Sequence, residues 1–174
     1  MAGESGIPFP FTTYGTKTGG LKVGQEVTDE STGYVYVFCQ ADTTCTNDTF
    51  AAGEFAVQVS ATQRGICSNR ATGSLDATYV MALGVVTSAC PESTATVTYY
   101  FWALKRGYTA TIKNDGTDVV IGYHLHLVAA DPVTCKAVVG TTTSNDWTII
   151  STFGRASVTT TGTTTSGFVN FRDI

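Results

Sequence analysis

The chain has 174 residues and a net charge of −4, a length that accommodates one domain and leaves little room for a second. Only 14% of the residues are charged, against about 25% in typical soluble domains. The basic residues are scattered, which makes nucleic acid and anionic membranes poor candidate partners, and no apolar stretch reaches the ~18–20 residues of a transmembrane helix.

Residues 1–20 are predicted to form an extended N-terminal arm. Two prolines in the stretch "GIPFPF" hold their neighbours extended and prevent a helix. The following "GTKTGG" at 15–20 lacks the Gly-Lys-Ser/Thr order of a phosphate-binding loop, and we interpret it as a flexible joint. The arm is expected to lie on another protein, and its candidate contact residues are Ile7, Pro8, Phe9, Pro10, Phe11 and Tyr14.

Residues 21–174 are predicted to form a single all-β domain, either a β-sandwich or a β-barrel. Runs rich in Val, Tyr, Phe and Thr, separated by glycine and polar turns, indicate about ten strands. Strands are expected within 21–27, 34–40, 55–61, 79–89, 94–106, 108–113, 117–130, 135–140, 146–161 and 159–174. Gly107 is expected to separate two of these strands, and the Thr-rich stretch at 159–167 is expected to form strand, turn and strand.

Two of these strand segments and one turn carry finer predictions. Alternation in "FAVQVSA" (55–61) predicts a half-buried strand. The apolar run at 79–89, broken at Gly84, predicts a strand that is buried on both faces or bent at a bulge. The Asn-Asp-Gly triplet at 114–116 predicts a tight hairpin turn between two adjacent strands.

The segment "TYYFWALKRGY" has apolar side chains on both faces of one strand. A second sheet would cover one face. The other face, which carries Tyr100 and Trp102, requires an excursion of the same chain, a symmetry-related copy or a ligand such as a sugar. Because Tyr and Trp are enriched at protein interfaces, these two residues join the six arm residues as candidate contacts with a partner or a second copy of the chain.

The residues with chemical potential form no catalytic pattern. His124 and His126 are two apart on a predicted strand and share a face, but a metal would need a third ligand from Asp118, Asp131 or Cys135. The alternative is a pair of surface or interface histidines. The carboxylates follow no recognisable spacing and no GxSxG elbow occurs. We therefore expect no enzyme, no catalytic residue, no cofactor and no metal site.

The five cysteines have irregular spacing and no CxxC pair. This pattern favours reduced thiols, buried as small apolar side chains in a protein made in a cytosol. A disulfide between Cys39 and Cys45 is the alternative.

The order of these motifs resembles the capsid decoration (cement) proteins of tailed bacteriophages, which are small β-rich virion proteins. The resemblance covers roughly residues 24–172. Its motifs are Ala52-Gly53-Glu54, Leu83-Gly84-Val85, Trp102, Arg106-Gly107-Tyr108, Asp115-Gly116-Thr117, Gly122, Leu125 and Gly154-Arg155-Ala156.

This resemblance implies a homotrimer made in the host cytoplasm and placed on the outer surface of the virion capsid. Its partners would be the major capsid protein and two further copies of itself, and the arm would reach across neighbouring subunits. Many copies would stabilise the shell through multivalent contacts. Two alternatives remain open: another virion β-protein (a head–tail adaptor, a tail component or a host-binding module), and a small metal- or sugar-binding β-barrel that uses the two histidines.

Overall fold

The computed structural model describes residues 7–60, 62–70, 82–116, 118–128, 133–138 and 152–171. Within these ranges the regular structure consists of β-strands and one short 3-10 turn at Thr46–Asp48. No helix of the described part is long and apolar enough to cross a membrane. The all-β prediction is confirmed.

Thirteen strands are present in the described residues, and most of them are short. They are β1 (Tyr14–Gly15), β2 (Glu26–Thr28), β3 (Val35–Ala41), β4 (Thr49–Phe50), β5 (Phe55–Gln58), β6 (Ile66–Ser68), β7 (Ala82–Val86), β8 (Cys90–Pro91), β9 (Tyr100–Lys113), β10 (His124–Val128), β11 (Thr134–Val138), β12 (Thr152–Ala156) and β13 (Thr164–Asn170).

Five of the strands close into a ring. The pairings run β3–β6–β5–β7–β9, and β9 pairs back with β3. All of these pairs are antiparallel except β3–β6. A closed ring removes the exposed strand edges that an open sheet presents, so this part of the domain is barrel-like.

The long strand β9 joins the ring to a second part of the sheet. Its first half lies between β3 and β7, whereas its second half pairs with β13. From β13 the sheet continues through β12 and β10 to β11, with every pair antiparallel. The two halves of one strand therefore anchor both parts of the fold.

Two apolar cores follow from this arrangement. The first lies inside the ring, where side chains from β3, β5, β6, β7 and β9 pack together, among them Cys39, Ala56 and Phe101. The second lies between the outside of the ring and the β13–β12–β10–β11 extension, and includes Phe55, Leu104 and other residues of both parts. Because successive residues of a strand point to opposite faces, β5, β7 and β9 contribute to both cores.

Gly107 permits β9 to pass unbroken from the ring into the extension. Its φ of +145° is strained for any residue with a side chain. A Cβ built there would lie 2.6 Å from Cγ of Tyr34, so the ring of Tyr34 packs directly against the glycine backbone. The sequence predicts a break between two strands at this glycine, and the structure shows one continuous strand instead.

Two finer predictions were wrong. The triplet at 114–116 does form a turn, in which Asn114 Oδ1 accepts a hydrogen bond from the Gly116 amide at 2.8 Å. However, β9 pairs with β13 and β10 pairs with β11 and β12, so this turn does not join a hairpin. Strand β5 is buried on both faces rather than on one, because Ala56 enters the ring core while Phe55 enters the other core.

The other segment predictions were confirmed in part. Strand β3 matches the strand expected at 34–40 to within one residue, and the register of β5 with β7 shifts opposite Gly84, as the bulge alternative required. The Thr-rich stretch at 159–167 forms a bridge at Thr160, a bend and then β13. The strand expected at 21–27 is shorter and later, since only β2 forms there.

Candidate interface site

The N-terminal arm packs on the chain's own sheet. Its two phenylalanine rings cover the outward face of β3 and β9. The ring centroid of Phe9 lies 5.9 Å from Phe38 and 6.1 Å from Trp102. Phe11 contacts Trp102 edge-on at 4.9 Å. An excursion of the same chain thus covers the second face of the aromatic strand, which is one of the three alternatives that the sequence left open.

Two tyrosines extend this aromatic cluster. Tyr36 stacks on Phe11 with centroids 4.2 Å apart, and Tyr100 stacks on Phe38 at 5.4 Å. Such pairs contribute about 0.5–1.5 kcal/mol each beyond the burial of their area. Burial also raises the pKa of the Tyr36 hydroxyl. Sequence reasoning missed Tyr36 and Phe38, although their spacing of two along β3 places them on one face.

Polar contacts fix the position of the arm along the sheet. Trp102 Nε1 donates a hydrogen bond to the Phe9 carbonyl at 3.2 Å, and the Thr87 hydroxyl donates to the Phe11 carbonyl. Strand β1 then pairs with the start of β9, where Tyr14 lies opposite Phe101. The arm is therefore held by a defined set of donors as well as by its rings.

The segment expected to be a flexible joint begins in close contact with the arm. A Cβ built on Gly15 would lie 2.6 Å from the ring of Phe9, so a side chain at this position would displace the ring. The chain consequently folds back against the arm where it enters the domain.

The eight predicted interface residues differ in exposure. Trp102 is fully buried within the chain. Pro10 is exposed, and Tyr14 is 45% exposed. The others, Ile7, Pro8, Phe9, Phe11 and Tyr100, are half-buried. A partner could contact Trp102 only after the arm had left, whereas Pro10 and Tyr14 are accessible as they stand. The interface role of these residues stays a prediction.

The structure also presents exposed apolar residues that the sequence analysis did not select. Phe168 on β13 is 62% exposed and packs against Tyr108 of β9, with ring centroids 5.3 Å apart. Ile121 is likewise 62% exposed, and its amide donates to the Thr159 hydroxyl beside the exposed Val158. Periodicity places Phe168 on one face of its strand but does not show that this face is open to solvent.

The two histidines lie on β10 and are half-buried. Of the candidate third ligands, Cys135 is buried on β11, Asp118 is exposed, and Asp131 lies outside the described residues. Within the described ranges, no three His, Cys, Asp or Glu side chains come together in a way that could hold a metal ion.

All five cysteines are free and buried, as the favoured interpretation predicted. Cys39 lies beside Cys67 in the ring core, and no bond links it to Cys45. Burial raises the pKa of Cys67 well above its usual value, and raises the pKa of Cys45, Cys90 and Cys135 to about 12.

Comparison with known protein families, with curated proteins and with solved structures finds no match for this chain.

Proposed function

We propose that this chain is a non-enzymatic structural protein of a phage virion, which binds the outer surface of the capsid as a homotrimer and stabilises the shell. The observation that carries this proposal is the exposed ring of Phe168, which packs against the half-buried Tyr108, on a chain of unusually low charge. The motif resemblance to capsid decoration proteins supports the same conclusion.

The aromatic pair has the properties of a protein-contact surface. The exposed ring of Phe168 supplies apolar area, and Tyr108, whose hydroxyl hydrogen-bonds with Ser166 and Ser157, holds its own ring against it. The exposed Arg155 lies directly opposite Phe168 on β12, so a partner that covers the ring must also pair or solvate this charge. We assign the capsid as the partner of this pair, since each copy on a shell would add one such contact and many copies would act together.

The arm contributes in a different way from the one expected at first. In the structure it stabilises its own domain by covering Trp102, and it leaves Pro10 and Tyr14 exposed. Contacts of the arm with neighbouring subunits would use these two exposed residues, or would require the whole arm to exchange between copies.

The test measures mass in solution by light scattering and binding to preassembled shells of the major capsid protein from the same genome. The variants are Phe168→Thr, Val97→Thr and a deletion of residues 1–14. Val97 is 37% exposed and serves as the matched apolar control. We expect the wild type to be a trimer that sediments with shells. Shell binding should be lost or weakened at least tenfold in Phe168→Thr and retained in Val97→Thr.

A monomer without affinity for shells would refute the proposal. Retained shell binding by Phe168→Thr would refute the assignment of the aromatic pair, and a monomeric Phe168→Thr would assign that pair to the trimer contact instead. Loss of shell binding on deletion of residues 1–14, with the trimer intact, would assign the capsid contact to the arm.

A further inference from the structure

The side chains of Asn69 and Lys113, which come from distant parts of the chain, both contact the buried carboxylate of Glu54. Glu54 directly precedes β5, Asn69 follows β6, and Lys113 is the last residue of β9. The backbone fixes two of them together, because the Lys113 amide donates to the Gly53 carbonyl at 2.9 Å. The ring of strands therefore brings together residues that are far apart in sequence.

The two carboxylate oxygens of Glu54 have different partners. Lys113 Nζ donates to Oε1 at 2.9 Å. Asn69 Nδ2 donates to Oε2 at 2.8 Å, and so does the Ala51 amide. Glu54 is 4% exposed and Asn69 is 1% exposed, while the side chain of Lys113 is 33% exposed. An amine and an amide thus contact the same buried group capable of accepting and returning a proton.

The amide of Asn69 is also held in one orientation. Its Oδ1 accepts a hydrogen bond from the Thr46 amide at 2.7 Å, and its Nδ2 donates a second bond to the Thr49 carbonyl at 3.0 Å. A backbone N–H on the side-chain carbonyl oxygen polarises that carbonyl and stabilises negative charge that develops on the oxygen. The amide nitrogen, meanwhile, faces the carboxylate.

We propose that Lys113 and Asn69 form an intramolecular amide (isopeptide) bond, with Glu54 as the proton-transfer group. Glu54 accepts a proton from the Lys113 ammonium, and the free amine attacks Cγ of Asn69. Negative charge develops on Oδ1, beside the Thr46 N–H. Glu54 then passes its proton to Nδ2 of Asn69. It next accepts a second proton from the attacking nitrogen.

The C–Nδ2 bond then breaks and ammonia leaves, taking the remaining proton into solvent as ammonium. The products are one Lys–Asn amide and one ammonium ion, and Glu54 returns to its carboxylate form. The step needs no oxidant, metal or nucleotide, because a side-chain amide already contains its leaving group. The carboxylate of Glu54 holds both side chains within the folded chain, and this placement replaces an activating reagent.

A second lysine–glutamate pair provides an internal comparison. Lys105, 9% exposed, contacts Glu26 Oε1, and Arg64 Nη2 lies 3.9 Å from the same oxygen. An ion pair of this kind stabilises charges but offers no carbonyl carbon to attack. The oriented amide of Asn69 is what distinguishes the Glu54 cluster.

The bond would join the end of β6 to the end of β9, across the ring. A covalent link between residues this far apart in sequence restricts the unfolded chain and so favours the folded one. The inference does not depend on the proposed capsid role, and its test requires only the purified chain.

The test is the intact mass of the purified full-length protein, followed by tryptic peptide mapping. We expect a mass below that of the sequence by one ammonia molecule. The map should contain a branched peptide in which residues 65–70 are joined to residues 107–136, because an acylated Lys113 resists trypsin. The variants Lys113→Arg, Asn69→Ala and Glu54→Gln should have the masses of their sequences, and the control Lys105→Arg should retain the loss.

Two results would overturn the proposal. One is a wild-type mass equal to that of its sequence after prolonged incubation at neutral pH. The other is an ammonia loss that persists in Lys113→Arg, since cyclisation of an asparagine on its own backbone also releases ammonia. The wild-type measurement decides the question even where a variant fails to fold.

Discussion

At the scale of single residues, burial determines the chemistry of the cysteines. A thiolate is poorly stabilised in an apolar core, so desolvation raises the pKa of Cys45, Cys90 and Cys135 to about 12. The thiols therefore remain protonated in the folded chain over the range in which free cysteines ionise. Each cysteine packs as a small apolar side chain and needs no partner cysteine, which is compatible with their odd number and irregular spacing.

This difference in pKa makes stability depend on alkaline pH. We expect the free energy of unfolding to be unaffected by these thiols below about pH 9 and to fall as the pH rises from about 9 towards 12. The sign follows because the unfolded chain releases thiol protons in this window while the folded chain retains them. Each such thiol contributes a slope of about 1.4 kcal/mol per pH unit.

Urea unfolding of the wild type and of Cys135→Ala at several pH values measures this slope. Lysines and tyrosines ionise in the same range, so the comparison between the two proteins is the decisive quantity. Cys135→Ala is expected to be less stable than the wild type below about pH 9 and to lose stability less steeply above it. Equal slopes for the two proteins would contradict the argument.

At the scale of elements, the arm is part of the packed structure although its sequence is typical of a free extension. Its prolines hold it extended, which lowers the entropy lost when it docks. Phe9 and Phe11 then fill the space over Trp102, and β1 adds backbone pairing to β9. The same aromatic character that suggests an intermolecular contact therefore serves an intramolecular one.

The contribution of the arm can be measured through Trp102. In a Trp147→Phe background, which leaves a single tryptophan, we expect Phe11→Ala to shift the emission to longer wavelength as water reaches the indole. The substitution should also lower the free energy of unfolding by about 2 kcal/mol, since it removes a stacked and partly buried ring.

The matched control is Thr12→Ala, because Thr12 is an exposed residue of the same arm. This change should leave the emission unchanged and the stability within about 0.5 kcal/mol. Indistinguishable spectra for Phe11→Ala and Thr12→Ala would show that the arm does not cover the indole in solution.

At the scale of the whole molecule, β9 makes one cooperative unit of the ring and the extension. The strand pairs with ring strands along its first half and with β13 along its second, and side chains from both parts form one of the two cores. Neither part can unfold while β9 keeps its native pairing. The chain should therefore unfold in a single transition, as small domains commonly do.

Two buried thiols report on the two parts. Cys67 lies inside the ring, and Cys135 lies in the core beside the extension. With single-cysteine variants that retain one or the other, we expect the labelling of both thiols to follow the same urea dependence. Labelling of Cys135 at markedly lower urea than Cys67 would mean that the extension opens independently.

The sequence by itself determined the properties that depend on neighbours along the chain. Alternation and composition determine that the chain is all-β and that the strand carrying Trp102 is covered on both faces. Proline fixes an extended arm, and the irregular spacing of the cysteines without a CxxC pair predicts reduced, buried thiols. The motif at 114–116 likewise specifies a turn, since an asparagine side chain closes it locally.

Only the tertiary structure decided which distant segments meet. Many short strands of this chain have similar Val-, Tyr- and Thr-rich patterns, so pattern alone does not choose among pairing partners; long-range packing selects β13 rather than β10 for β9. For the same reason the cover of Trp102 and the meeting of Lys113, Glu54 and Asn69 have no signature in sequence. Local patterns fix which way a side chain points, whereas closure of the ring fixes what lies opposite it.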